Sequence, residues 1–113
     1  MPSLSLRINL DPEFRIGPGK IQLLEAISKR GSISAAARQM GMSYKRAWDL
    51  VEELNRMFGS PVLDTQKGGP KGGGATLTAT GQALVTRFRA IEQEAHAVAA
   101  THLRVLQSEI GER

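Results

Sequence analysis

The chain has 113 residues, 41% of them apolar, which is enough to bury the modest core of a single domain. It contains no cysteine, so disulfide bonds, thiol catalysis and cysteine-based zinc sites are excluded. The net charge is +4, and residues 79–113 contribute none of it because their basic and acidic side chains balance.

The first third of the chain predicts a strand and then a helix. Residues 4–10 alternate apolar and polar side chains, the pattern of a half-buried strand, and a turn follows at Asp11. Residues 17–19 (Gly-Pro-Gly) break the pattern. Apolar residues then recur at helical spacing until Gly31, which predicts the first helix.

Two further helices follow closely. Ser32 and Ser34 are both suitable N-caps for a short alanine-rich helix that ends at Gly41. Ser43 offers the next cap, and apolar residues at spacings of three and four predict a third helix that ends at residues 59–61.

The second half predicts a hairpin and one long helix. Residues 62–66 and 75–78 are two short β-prone runs, and the glycine-rich residues between them predict a long loop at the hairpin tip. No proline interrupts the chain from Thr80 to about Ile110, which predicts a helix of roughly 45 Å. We therefore expect a mainly α fold with a small β component: a winged helix-turn-helix domain over residues 1–78 and a long C-terminal dimerisation helix over residues 79–113.

The segment from Ile33 to Leu50 has the features of a helix-turn-helix. Ala36 and Ala37 are small enough for two helices to approach closely, and Gly41 can adopt the left-handed conformation of the turn. In this motif the second helix enters the major groove of DNA through its N-terminal residues.

Those N-terminal residues suit a DNA contact. Lys45 and Arg46 are cations at a helix N-terminus, which the helix dipole disfavours unless an anion is near. Arginine can bind guanine in a bidentate manner, lysine and tyrosine can reach phosphates or bases, and Ser43 can donate to a phosphate. The surrounding stretch from residue 26 to residue 48 has five basic residues and no acidic one, which favours a polyanionic partner. The alternative is an ordinary solvated helix start.

The glycine-rich hairpin tip suits a DNA-contacting wing, because its backbone can approach a polyanion while Lys67 and Lys71 supply charge. A nucleotide-binding P-loop does not fit, since no Gly-Lys-Ser/Thr follows the glycines. The alternative is a merely flexible tip. The residues that we expect to contact DNA are Ser32, Ser34, Arg38, Ser43, Tyr44, Lys45, Arg46, Lys67 and Lys71.

The last helix has an apolar seam with spacings of four and three, widened near its C-terminus by a second apolar stripe. A domain this small cannot bury both stripes, so we expect a homodimer that holds two recognition helices about 34 Å apart. The alternative is a helix packed wholly on its own domain. The expected dimerisation residues are Leu84, Phe88, Ile91, Ala95, Val98, His102 and Val105.

Other classes of function find little support. His96 and His102 are six residues apart, a spacing that does not form a metal site on one helix face, and no catalytic arrangement is evident. Trp48 and Phe88 are expected core aromatics.

No apolar run approaches the roughly 20 residues that span a bilayer, and the N-terminus lacks a signal-peptide pattern. We expect a cytoplasmic protein that is not an enzyme, with no cofactor, metal or membrane partner.

Residues 31–49 (GSISAAARQMGMSYKRAWD) and 68–78 (GGPKGGGATLT) resemble the N-terminal DNA-binding domain of the ModE-type molybdate-responsive regulators, whose helix-turn-helix is similar to that of LysR-type regulators. The resemblance extends over roughly residues 4–110. It implies a winged helix, double-stranded operator DNA as the partner, and a dimer formed through the N-terminal strand region and the last helix.

The resemblance also implies specific contacts. Ser43, Tyr44 and Lys45 match the family's Ser-Tyr-Lys-x-Ala-Trp stretch, so it implies that they contact DNA, whereas Arg46 rests on its chemistry alone. Pro70 departs from the family's wing and leaves Lys71 as the cation within the loop. Full-length members continue into molybdate-binding domains, and we do not expect molybdate binding on these 113 residues alone.

A protein-interaction adaptor that uses a winged-helix scaffold without contacting DNA is the competing hypothesis. The two differ in their response to salt, because contacts to about six phosphates predict a log-log slope of around −5 for duplex affinity. The sequence leaves open the operator, the direction of regulation and any effector.

Overall fold

The computed structural model describes residues 2–69 and 72–110, without the side chains of residues 67–69 and 72. Within these residues, two strands precede three helices, and a second pair of strands precedes a long helix. The mainly α winged helix-turn-helix architecture predicted from the sequence is confirmed.

The N-terminal hairpin differs from the prediction of one strand over residues 4–10. Strand β1 is Ile8–Asp11, and it pairs in antiparallel register with β2, Phe14–Ile16, which the sequence analysis missed. Residues 2–7 alternate in burial as a strand would, yet they form no strand. The alternation predicts only which face is buried, whereas the strand needs a hydrogen-bonding partner, and β2 is three residues long.

Three helices form the centre of the domain: α1 is Pro18–Arg30, α2 is Ile33–Gln39 and α3 is Tyr44–Phe58. Helix α1 begins at Pro18 itself, so the segment that we interpreted as a breaker is the helix start, where a proline needs no hydrogen-bond partner. Ser32 caps α2 by accepting a hydrogen bond from the Ala35 amide at 3.1 Å, and Ser34 lies inside that helix.

The wing is a hairpin of β3, Leu63–Gly69, and β4, Gly72–Leu77, in antiparallel register. The prediction of a long glycine loop was wrong, because the strands continue through the glycines until Gly69 pairs with Gly72. A glycine backbone can form ladder hydrogen bonds although it has no side chain to pack. The wing is tied to the end of α1 by a 2.8 Å hydrogen bond from the Ala75 amide to the Gly31 carbonyl.

Helix α4, Ala79–Glu109, is 31 residues long, or about 46 Å, within a molecule whose longest dimension is 57 Å. Its predicted bounds were right to within one residue. At its start, the hydroxyl of Thr78 accepts a hydrogen bond from the Gly81 amide at 3.1 Å. Gly81 is buried so closely against the wing that a Cβ there would clash with the Val62 carbonyl oxygen.

The core has two parts. The larger one joins the inner faces of α1, α2 and α3 to the base of the wing, and includes Leu24, Ile27 and Leu54. The smaller one consists of Ile16, Ile21 and Phe88, so it fixes the first part of α4 to β2 and α1. Over the described residues, no helix is long and apolar enough to cross a membrane.

Candidate nucleic-acid interface

The turn between α2 and α3 has the geometry of a helix-turn-helix. Gly41 has a φ of 67°, which lies in the left-handed region that favours glycine. The Met42 amide donates to the Ala37 carbonyl at 3.0 Å and closes the turn. Ala36 and Ala47 are completely buried, so the two helices meet without bulky side chains between them.

The turn directs the first residues of α3 outward. We call residues 43–46 the recognition tip. The hydroxyl of Ser43 caps α3 by accepting a hydrogen bond from the Arg46 amide at 3.0 Å, and its own proton is free to be donated. Tyr44, Lys45 and Arg46 are exposed, and the first turn of α3 contains no acidic residue.

One acid does approach the recognition tip. The ammonium of Lys45 lies 3.1 Å from a carboxylate oxygen of Asp49, one turn further along α3. The side chains are 85% and 51% exposed, and an exposed pair at this spacing contributes only about 0.3–0.5 kcal/mol. Lys45 therefore remains accessible to a stronger anion.

Two aromatic rings lie beside these cations. Tyr44 and Trp48 form an edge-to-face pair with their ring centroids 6.3 Å apart. Trp48 is half-buried against the main core, as expected for a core aromatic, while Tyr44 is 54% exposed. The pair holds the Tyr44 ring on the outer surface of α3.

The remaining predicted DNA contacts surround the recognition tip. Arg38 is exposed on α2, and Ser32 and Ser34 are half-buried. The side chain of Lys67 and the whole of Lys71 lie outside the described residues, so their positions stay predictions.

The structure also brings together three arginines that the sequence analysis did not connect. Arg7 precedes β1, Arg15 is in β2 and Arg46 is in the recognition tip, and all three line one cleft of about 370 Å³ between the N-terminal hairpin and α3. Leu50 and Gly17 are among its other lining residues. We call it the arginine cleft. Because hairpin and helix are far apart in sequence, no local pattern predicts it.

The expected dimerisation residues are not equivalent in exposure. Phe88 is only 1% exposed and belongs to the smaller core, so the protomer itself buries this member of the predicted seam. Ile91, Val98 and Val105 are 45%, 80% and 52% exposed. We call the part of the seam after Phe88 the α4 seam; its predicted residues are Ile91, Ala95, Val98, His102 and Val105. Leu84 and Ala95 are half-buried, and His102 is exposed.

A bidentate ion pair anchors α4 to α1. The Arg89 guanidinium donates to both carboxylate oxygens of Glu25, at 2.9 and 2.6 Å, and to Glu92 at 2.6 Å. The hydrogen bonds from Arg89 hold the pKa of Glu25 below its ordinary value, although partial burial acts in the opposite direction. No sequence pattern predicts this contact between residues 64 positions apart.

Among the described residues, no group of three or more histidine, aspartate or glutamate side chains could hold a metal ion. His96 and His102 are both exposed on α4.

A family described as "Bacterial regulatory helix-turn-helix protein, lysR family" matches residues 19–82, from the first turn of α1 to the first turn of α4. The match therefore includes the helix-turn-helix and the wing. It leaves out the N-terminal hairpin and most of α4.

The chain is also similar to several individual proteins. The chain is 49% identical to the molybdenum-pterin-binding protein MopB of Rhodobacter capsulatus over 78 residues, which are 69% of this chain and 29% of MopB. It is 39% identical to the molybdenum transport protein ModE of Azotobacter vinelandii over 90 residues, 78% of this chain and 33% of that protein. It is 38% identical to the DNA-binding transcriptional dual regulator ModE of Escherichia coli K12 over 88 residues, 78% and 34% of the two proteins. The predicted resemblance to ModE is confirmed, and the chain spans about a third of the length of these relatives.

Solved structures show the same fold. The DNA-binding domain of CbnR in complex with DNA superimposes with a TM-score of 0.58 at 21% identity, over 79% of this chain and 95% of that one. Full-length CbnR with its target DNA also gives 0.58 at 21% identity, over 74% and 27% of the two chains. At this identity the likeness shows a shared winged-helix architecture.

Proposed function

Because the chain belongs to the LysR family of bacterial regulatory helix-turn-helix proteins, we propose that it is a ModE-like transcriptional regulator that binds specific sequences of double-stranded DNA as a homodimer. The proposal assigns it no enzymatic activity. It implies a cytoplasmic location, because that is where bacterial chromosomal DNA lies.

The observation that carries the proposal is the exposed recognition tip. Lys45 and Arg46 lie in the first turn of α3, where the helix dipole disfavours each cation by about 0.3–1 kcal/mol. A phosphate or an electronegative base edge would remove that penalty and form charge-assisted hydrogen bonds. An adaptor that binds neutral protein surfaces would gain nothing from this arrangement.

We propose distinct roles for the predicted contacts. Arg46 and Lys45 contact base edges in the major groove, where a good bidentate pair of hydrogen bonds favours the correct base over a wrong one by about 1–3 kcal/mol. Tyr44 and Ser43 contact the flanking phosphates, since both hydroxyls can donate and both are exposed. The phosphate contacts are extended by Ser32, Ser34 and Arg38 on α2 and by Lys67 and Lys71 on the wing.

The dimer is proposed from the α4 seam. Helix α4 extends well beyond the smaller core, and Val98 is 80% exposed. Val105 and Leu106 follow at 52% and 64%, so the apolar surface continues towards the C-terminus. A second copy of the same helix is the partner that this pattern fits, because a heptad seam is self-complementary.

The experiment uses fragments of genomic DNA that the purified protein selects. Fluorescence anisotropy then compares a selected duplex with a scrambled duplex over a range of salt concentrations. We expect affinity for the selected duplex to fall with a log-log slope of around −5. The variant Lys45→Ala/Arg46→Ala should lose the preference for the selected duplex, by about 30-fold or more, because two base contacts are removed.

The matched control is Arg56→Ala/Arg104→Ala, which removes two exposed cations away from the recognition tip. It should keep the preference between the two duplexes. A flat salt response, or no duplex binding at low salt, would refute the proposal and favour the adaptor.

A further inference from the structure

The arginine cleft has more positive charge than its neighbours neutralise. Lys20 and Glu53 also line it, and they pair with each other at 3.0 Å. Over residues 2–69 and 72–110, the ion pairs include none for Arg7, Arg15 or Arg46.

One of these arginines lies close to the start of α1. Arg7 lies along Gly17, where a Cβ would be 3.4 Å from the Arg7 Nε and 3.9 Å from its Cγ. These are ordinary van der Waals distances, so the Arg7 side chain lies directly beside the start of α1. An exposed cation held in a cleft with other cations is repelled by them, which favours an anion between them.

The cleft is continuous with the proposed DNA-binding surface. Arg46 belongs both to the recognition tip and to the cleft, and Leu50, one turn further along α3, lines it too. A duplex with α3 in its major groove has a sugar–phosphate strand on each side of that helix. The arginine cleft lies on the side of α3 that faces the N-terminal hairpin, where one of these strands would run.

We propose that Arg7 and Arg15 bind the DNA backbone beside the major groove, so that the N-terminal hairpin acts as a second wing. The inference rests on the proposed function, since it needs α3 on a duplex. Phosphate contacts fix orientation but carry no sequence information. The two arginines thus raise affinity for every duplex and leave the preference between sequences to the recognition tip.

The test compares Arg7→Gln/Arg15→Gln with wild type on the selected and scrambled duplexes. Two lost phosphate contacts should make the salt slope shallower by about 1.8 for each protomer bound to the duplex. Affinity at low salt should fall about tenfold or more for both duplexes, and the ratio between them should stay within about twofold. Arg7→Lys/Arg15→Lys should recover most of the slope, because lysine also neutralises phosphate.

The control Arg56→Gln/Arg104→Gln removes the same charge from exposed positions outside the cleft. If the cleft variant has the same slope as this control, the second wing is refuted while the recognition tip stands. A changed preference between duplexes would also refute it, since it would mean base contacts. If wild type does not bind duplex DNA at low salt, both proposals fail. Ethylation interference adds an independent measurement: the phosphates that the cleft variant no longer needs should form one flanking cluster in each half-site.

Discussion

The recognition tip and the α4 seam are both exposed, but the first is a cationic surface and the second is an apolar one. The recognition tip has accessible cations, and among the described residues the ion pair formed by one of them is the weak, exposed pair of Lys45 with Asp49. The α4 seam instead exposes valine and isoleucine side chains, with Val98 at 80%. In the proposed complex, DNA supplies negative charge to the recognition tip and a second protomer supplies apolar surface to the α4 seam. Salt should therefore weaken the proposed DNA binding far more than the proposed dimer.

The largest effect is expected from changing the α4 seam. Val98→Asp/Val105→Asp places four carboxylates in a symmetric dimer interface and should yield monomers in sedimentation equilibrium. Affinity for a two-half-site duplex should then fall by on the order of 100-fold, because the second half-site no longer binds with the avidity of a linked pair. The control Gln93→Asp/Gln107→Asp adds the same charge on the other side of α4 and should leave the dimer intact. If Val98→Asp/Val105→Asp remained dimeric, the α4 seam would not be the dimer interface.

An intermediate effect is expected where α4 packs against the wing. This contact sets the position of the α4 seam relative to the recognition tip. Gly81→Ala would drive a Cβ into the Val62 carbonyl, and overpacking of this kind costs about 1–3 kcal/mol of unfolding free energy. Gly19→Ala is the matched control, because no atom lies within 4 Å of the added Cβ and alanine is the better helix former. Chemical denaturation should show the first variant destabilised and the second slightly stabilised. Equal stability of the two would contradict the close packing of α4 on the wing.

The smallest effect is expected at the ion pair between α1 and α4. Because the folded protein holds the pKa of Glu25 below its ordinary 4.5, the pair stabilises the fold above that pH. The stabilisation is lost as pH falls through the lowered pKa. Glu25→Gln should therefore cost about 1 kcal/mol or less at neutral pH, since both side chains are 39% exposed, and nothing at strongly acidic pH.

Thermal unfolding of Glu25→Gln across pH, next to Glu94→Gln as an exposed control on α4, checks this prediction. A stability difference from wild type that grew at acidic pH would have the wrong sign. It would show that the ion pair does not anchor α4 to α1.

Local chemistry allowed the sequence to predict the helix-turn-helix. Gly41 provides the left-handed turn, Ser43 provides the cap and the buried alanines allow the close approach of the helices. Each of these features acts within a few residues of itself, so each is visible in a short window. The exposure of Tyr44, Lys45 and Arg46 follows from the same pattern.

Pairing between strands was harder to predict. Strand β2 has only three residues, too few for a periodic pattern, and the wing strands pass through glycines that look like a loop in isolation. A strand depends on its partner's backbone as much as on its own side chains. Strand β2 and the length of the wing strands were therefore mispredicted because strand formation depends on a pairing partner, which the β-propensity of a short segment does not reveal.

By itself the sequence determined the order of the helices, the cationic start of α3 and the apolar seam of α4, because caps, turn glycines and periodicity act locally. Only the tertiary structure decided that Phe88 is enclosed by its own protomer and that Arg89 reaches Glu25. The same is true of the meeting of Arg7, Arg15 and Arg46 in one cleft. These contacts join residues far apart in the chain, and the spacing of residues in a sequence does not encode which distant surfaces pack together.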